Sequence, residues 1–156
     1  MPEKYNILKT STSNIFVVLF FLVITFSSSY GFAMEECSQI RKTLEALQKY
    51  LSIKNPLPPD SKTLKTGESL FRNRAKPIAC KTCHGITGNG KGDPGFESTP
   101  SARNFTCAKI MNKLPDGQLF WIIRNGSPNT SMFGYSDLED SQIWQLIHYI
   151  RNFTKN

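Results

Sequence analysis

The sequence predicts an all-α fold, a small helical domain with long connecting loops. Two observations predict it: apolar residues recur at three- and four-residue spacing in several segments, and no alternating apolar–polar pattern runs longer than three or four residues. The chain of 156 residues, 39% of them hydrophobic, suits one small globular domain. A domain of this size with long irregular loops usually needs a covalent staple or a large cofactor to complete its core.

Residues 1–33 are expected to be a signal peptide and not part of that domain. Two lysines precede an apolar run over residues 15–26, and the small residues Gly31 and Ala33 follow it. This arrangement is typical of a secretory signal, here cleaved after Ala33. The run is shorter than the roughly 20 residues of a membrane-spanning helix. We therefore predict export to the periplasm, with a membrane anchor only if the segment is not cleaved.

The chain is basic, with 19 lysine and arginine residues against 12 acidic residues and a formal net charge of +7. A basic exported protein can meet an anionic membrane surface or an acidic protein partner. Nucleic acid is not expected as a partner, because export separates the protein from it and the sequence has no run of five basic residues.

Residues 34–59 are predicted to form an extra N-terminal helix and a proline-rich linker. Apolar residues recur with helical spacing from Glu36 to Ile53. The prolines of the stretch NPLPPD, residues 55–60, end this helix, because proline lacks an amide donor and restricts the residue before it. The main domain is then expected to cover residues 60–156.

Three further helices are predicted in the main domain, each introduced by a capping residue. Asp60 or Ser61 can cap the first, and Asp116 can cap a short second helix. Ser136 and Glu139 have the spacing of a capping box before an apolar stripe that continues nearly to the C-terminus. The connections between these helices are rich in glycine, proline and serine, which is typical of loops.

The stretch CKTCH contains the residues most indicative of function: Cys80, Cys83 and His84. This spacing is that of covalent haem attachment, in which both thiols add to the porphyrin vinyl groups and the adjacent histidine ligates the iron. Two intervening residues let both sulfur atoms face one edge of the ring, and the next residue then lies over its face. The sequence predicts one haem c with His84 as an iron ligand.

Two other chemistries use a Cys-x-x-Cys pair, a structural zinc site and a redox dithiol. A zinc site needs four ligands, and the other candidates, Cys37, Cys107 and His148, are isolated in the sequence. A redox dithiol would follow a strand in an alternating α/β pattern, which this sequence lacks. Both remain alternatives to haem attachment.

The residue at the second axial position of the iron decides between electron transfer and catalysis. Met132 lies on a loop just before the last helix, and that loop is long enough to fold over the far face of the ring. Met111 is expected in the core, and a single helical histidine such as His148 more often packs or faces solvent. We predict that His84 and Met132 are the two metal ligands, a pair that raises the reduction potential and closes the iron.

Over about residues 60–156 the chain resembles the class I monohaem cytochromes c. The matching elements are TGESLF, CKTCHG, a glycine-rich loop, the methionine loop TSMFGY and the final IWQLIHYIRNF. The resemblance implies a small helical domain wrapped around one covalent haem. It also implies single-electron transfer, so the protein is not expected to be an enzyme itself.

The resemblance implies specific contacts as well. The first and last helices of the domain should cross closely, with Gly67 and Phe71 against Tyr149, because glycine leaves room at the crossing. The carbonyl of Pro94 should accept a hydrogen bond from Nδ1 of His84, which would leave Nε2 for the iron.

Further candidates concern the rim of the ring. Arg103 and Trp121 are expected to donate hydrogen bonds to the haem propionates, since buried charges need donors. Several basic residues flank the motif, where the family exposes its haem edge, and an acidic redox partner could dock there. These basic residues are Lys62, Lys65, Arg72, Arg74, Lys76 and Lys81.

Two cysteines remain outside the motif, and in an oxidising compartment we expect Cys37 and Cys107 to form a disulfide. The functional prediction is an exported electron carrier. The alternatives are a cytochrome subunit of a periplasmic dehydrogenase or other oxidoreductase complex, and a haem enzyme with an open iron site.

Overall fold

The described part of the chain is helical. A computed structural model describes Cys37, Gln39 and residues 43–155, and the predicted signal peptide lies outside these residues. No strand occurs among them, so the predicted all-α fold is confirmed. The helices are α1 (Gln48–Leu51), α2 (Ser61–Ser69, continued by a π-helical turn, Leu70–Arg74), α3 (Cys80–His84), α4 (Ala108–Met111), α5 (Asp116–Asn125) and α6 (Asp140–Asn152). None of the described helices is long and apolar enough to cross a membrane.

Helices α2 and α6 cross closely at Gly67, as predicted. A Cβ atom on Gly67 would collide with the backbone carbonyl of Gln145 and lie 2.9 Å from Cβ of Tyr149. The ring centroids of Phe71 and Tyr149 are 5.4 Å apart. The crossing brings the apolar stripes of both helices into one core, whose most buried side chains are Leu70, Phe71, Met111, Ile143, Leu146 and Ile147.

The N-cap of α2 is the predicted one, whereas the N-caps of α5 and α6 differ from the prediction. Asp60 caps α2, and its carboxylate accepts a 2.7 Å hydrogen bond from the amide of Thr63. The predicted cap Ser136 is wrong, because Glu139 is the N-cap of α6 and forms a capping box with Gln142.

The predicted cap Asp116 is also wrong. Helix α5 begins one residue earlier than expected, so that Pro115 is its N-cap and Asp116 is its first residue. The Asp116 carboxylate accepts two hydrogen bonds, at 2.9 and 2.7 Å, from Arg151 of α6. This ion pair ties the start of α5 to the end of α6.

The helix predicted from Glu36 to Ile53 is wrong where the structure describes it. Residues 43–47 are not helical, and only Gln48–Leu51 forms a short helix. Of the stripe that predicted the helix, Leu44 and Leu47 are 56% and 63% exposed. The backbone of this segment bonds to a side chain of α5 instead of forming helical hydrogen bonds. The side-chain amide of Gln118 accepts from the amide of Ala46 (2.8 Å) and donates to the carbonyl of Leu44 (3.0 Å).

Candidate cofactor site

An apolar cavity lies between α3, α5 and the loop that leads to α6. The residues that line it are mostly apolar, and a few polar side chains such as His84, Arg103 and Gln118 stand among them. A concave, mostly apolar lining with a few polar groups is typical of a site for an organic cofactor.

Helix α3 brings the three residues of the CKTCH motif to one wall of this cavity. Cys80 and His84 are buried, Cys83 is half-buried, and all three line the cavity. The helix ends at His84, and Gly85 after it has a φ of 76°, a backbone conformation that residues other than glycine rarely adopt. A Cβ atom at this position would also meet the Asn89 side chain at 2.6 Å.

Two contacts fix the imidazole of His84. Its Nδ1 lies 3.0 Å from the carbonyl oxygen of Arg103, and its ring stacks on Phe105 with a centroid separation of 4.3 Å. Because a carbonyl can only accept, Nδ1 carries the proton and the lone pair is on Nε2, the tautomer of a metal ligand. The predicted partner Pro94 is wrong, because the Arg103 carbonyl takes its place at Nδ1.

The thiols of the motif are protonated in this environment. Burial raises the pKa of Cys80 to about 12, and burial also raises the pKa of Cys83. A redox dithiol needs the opposite, a lowered pKa that gives a thiolate at neutral pH. No group of three or more His, Cys, Asp or Glu side chains that could hold a metal ion occurs within the described residues. The raised thiol pKa values therefore do not support a redox dithiol, and the described residues give no support to a zinc site.

Met132 lies on a tight loop that reaches the same cavity. The loop opens at Gly126, whose φ is 80°, and a β-bridge joins Gly126 to Phe133. The amide of Ser127 donates to the carbonyl of Met132 (2.9 Å), and the amide of Met132 donates to the hydroxyl of Thr130 (3.1 Å). Met132 itself lines the cavity that His84 lines.

The segment after Met132 is held from two sides. Arg124 of α5 donates to the carbonyls of Ser136 (2.9 Å) and Leu138 (2.6 Å). The hydroxyl of Tyr135 donates to the carbonyl of Ile78 (2.8 Å), two residues before the motif. These bonds connect the methionine loop to α5 and to the start of α3.

The other two candidate ligands lie elsewhere. Met111 has an exposed fraction of 0% and belongs to the hydrophobic core. His148 has its Nε2 atom 2.7 Å from the carbonyl of Leu57. Neither residue is among those that line the cavity.

Of the two predicted propionate donors, the structure brings one to the cavity. Arg103 lines it, and its guanidinium donates a 2.7 Å hydrogen bond to the hydroxyl of Thr43. Trp121 is half-buried and is not among the lining residues, because α5 presents Gln118, Leu119, Ile122 and Ile123 to the cavity. The prediction for Trp121 therefore gains no support from the geometry.

Sequence reasoning missed Phe105, Gln118 and Thr43, which line the cavity. Phe105 stacks on His84, Gln118 hydrogen-bonds the N-terminal segment, and Thr43 accepts from Arg103. Their roles depend on contacts between distant segments, and none of the three stands in a motif whose spacing could have indicated them.

Cys37 and Cys107 lie in disulfide geometry, with their Cα atoms 5.6 Å apart. The disulfide stays a prediction. We expect thiol titration of unfolded, non-reduced protein to detect neither of these thiols, and the Cys37→Ser/Cys107→Ser variant to lose about 2–4 kcal/mol of unfolding free energy. Two titratable thiols from these positions, or a double variant as stable as the wild type, would show that no such bond forms.

The fold and the cavity define a small helical c-type cytochrome domain. Residues 62–150 match the family model described as cytochrome c oxidase, cbb3-type, subunit III. The chain belongs to this family, whose domain is of the class I cytochrome c type. Members of such families carry covalently bound haem c and transfer electrons.

A solved structure supports the fold independently. A chain of the reducing HAO-like protein complex of Kuenenia stuttgartiensis matches with a TM-score of 0.53 and 21% sequence identity. The match covers 73% of this chain and 52% of that one, so this chain spans about half of that protein's length. At this identity the likeness concerns the fold alone. No curated protein matches the sequence.

Proposed function

We propose that the chain is an exported single-electron carrier with one haem c, attached through Cys80 and Cys83 and ligated at its iron by His84 and Met132. The observation that carries the proposal is that these four side chains, from two distant segments, line one apolar cavity. When bound, haem c supplies one-electron chemistry at its iron.

The surrounding residues have three tasks in this proposal. The Arg103 carbonyl and Phe105 hold the imidazole of His84 in one orientation and one tautomer. The apolar lining excludes water, and the hydrogen bonds of Tyr135 hold Met132 near the cavity. His84 and Met132 would hold the iron, so that the group would supply electron exchange and would leave no place for a substrate.

A second candidate is that the chain is the cytochrome subunit of an oxidoreductase complex. The family description names an oxidase subunit, and the matching solved structure is a protein complex. Both candidates use the same cavity and differ in the partner, a transient redox protein or a permanent enzyme subunit.

The proposed organisation follows the sequence. Residues 1–33 would be removed on export to the periplasm, residues 34–59 would form an N-terminal extension, and residues 60–156 would form the cytochrome domain. N-terminal sequencing of the purified protein tests this, and a start at Met34 is the expected result.

Exposed basic residues on α2 and in the segment between α2 and the motif support docking of an acidic redox partner. Lys62, Lys65, Arg74 and Lys76 are exposed, whereas Arg72 is paired with Glu68 at 2.8 Å. Rates of electron transfer to an acidic partner should therefore fall as ionic strength rises.

Spectroscopy of the purified wild-type protein tests the proposal. We expect a haem that is reduced and reoxidised reversibly and a reduced form that does not bind carbon monoxide quickly. Fast binding of carbon monoxide would show an open iron and favour a haem enzyme.

A further inference from the structure

Gln39 reaches across from the N-terminal segment to the backbone that holds His84. Its Nε2 donates to the carbonyl of Ala102 (2.9 Å), and its Oε1 accepts from the amide of Asn104 (2.8 Å). One side-chain amide therefore binds the residues on both sides of Arg103. Arg103 is the residue whose carbonyl accepts from Nδ1 of His84.

We propose that Gln39 is a positioning residue for the iron ligand His84, acting through the carbonyl of Arg103. The inference rests on the proposed ligation of haem iron by His84. Gln39 would fix the plane and position of the 102–104 backbone, and so keep the Arg103 carbonyl aimed at Nδ1.

Neighbouring contacts place Gln39 for this role. Arg103 is also held through its side chain, which donates to the hydroxyl of Thr43, four residues after Gln39. Cys37, two residues before Gln39, lies in disulfide geometry with Cys107. The N-terminal segment thus contacts the 102–107 segment through three residues, Cys37, Gln39 and Thr43. Gln39 is the middle one of the three in the sequence.

Loss of the Gln39 hydrogen bonds should change both the reduction potential and the exchange of the His84 Nδ1 proton. A hydrogen bond from the second ring nitrogen of a ligating histidine fixes its tautomer and raises its basicity as a ligand. A more basic ligand stabilises the oxidised iron. Loosening the Arg103 carbonyl should therefore raise the reduction potential and expose the Nδ1 proton to exchange.

The test compares Gln39→Ala with a matched variant of the holoprotein, Gln48→Ala, which removes an exposed glutamine from the same segment. Proton exchange at Nδ1 of His84 is measured by NMR on the reduced protein with ¹⁵N-labelled histidine, together with the reduction potential. Amide exchange in α6 is measured in parallel as a readout of general loosening.

In Gln39→Ala we expect Nδ1 exchange about fivefold faster, the factor to which the loss of one typical hydrogen bond corresponds, together with a higher reduction potential. Amide exchange in α6, and Nδ1 exchange in Gln48→Ala, should stay at the wild-type rate. Unchanged Nδ1 exchange in Gln39→Ala, or a rise that α6 shares, would overturn the inference. A wild-type protein without covalent haem would instead overturn the proposed function, so the two failures are distinguishable.

Discussion

Met132→Ala is expected to convert a closed haem protein into one that binds carbon monoxide quickly when reduced. Met132 lines the cavity, and alanine at this position removes the thioether that is proposed to ligate the iron. A thioether favours ferrous iron, so its loss should also lower the reduction potential. Carbon monoxide binding, followed by visible spectroscopy after mixing, measures the first effect, and a redox titration measures the second.

Met111→Ala is the matched control, because it removes the same side chain from the buried core. It should cost about 2–5 kcal/mol of unfolding free energy, as large-to-small core substitutions do, while the reduced protein stays closed to carbon monoxide. If Met111→Ala opens the iron and Met132→Ala does not, the assignment of the second ligand is wrong.

Gly67→Ala is expected to destabilise the fold strongly. In an exposed helix this change would stabilise by about 1 kcal/mol through helix propensity. Here the new Cβ would collide with the carbonyl of Gln145 and with Tyr149. Both residues belong to α6, so α2 and α6 must move apart to accommodate the methyl group. Overpacking of this kind costs about 1–3 kcal/mol of unfolding free energy or more.

Denaturant unfolding of the holoprotein measures this effect, with Lys65→Ala as the control on the exposed face of α2. The control should change the unfolding free energy by less than about 0.5 kcal/mol. A Gly67→Ala variant as stable as the wild type would mean that the crossing of α2 and α6 is looser than the structure indicates.

The helices α2 and α6 could be predicted from local signals, namely the cap Asp60 and the periodic apolar residues of each segment. Their crossing at Gly67, Phe71 and Tyr149 was implied by the resemblance to class I cytochromes c and not by local spacing. The CKTCH motif is also a local signal. Cys80, Cys83 and His84 all lie on the short helix α3 and line the cavity together.

The N-terminal segment could not be predicted in this way. Its apolar spacing favoured a helix, but tertiary hydrogen bonds to Gln118 and to the 102–104 backbone decided its path. The partner of His84 was also mispredicted, because it depends on how the loop after the motif returns to α3. A loop carbonyl has no sequence signature, and the Pro94 and Arg103 carbonyls are equally possible acceptors until the fold is known.

The most direct test of covalent haem attachment is mass spectrometry of the purified, denatured protein. The wild-type polypeptide should carry the mass of one haem, and Cys80→Ala and Cys83→Ala should each leave at most one thioether link. A wild-type polypeptide without added mass and with Cys80 and Cys83 as free thiols would contradict the proposed attachment.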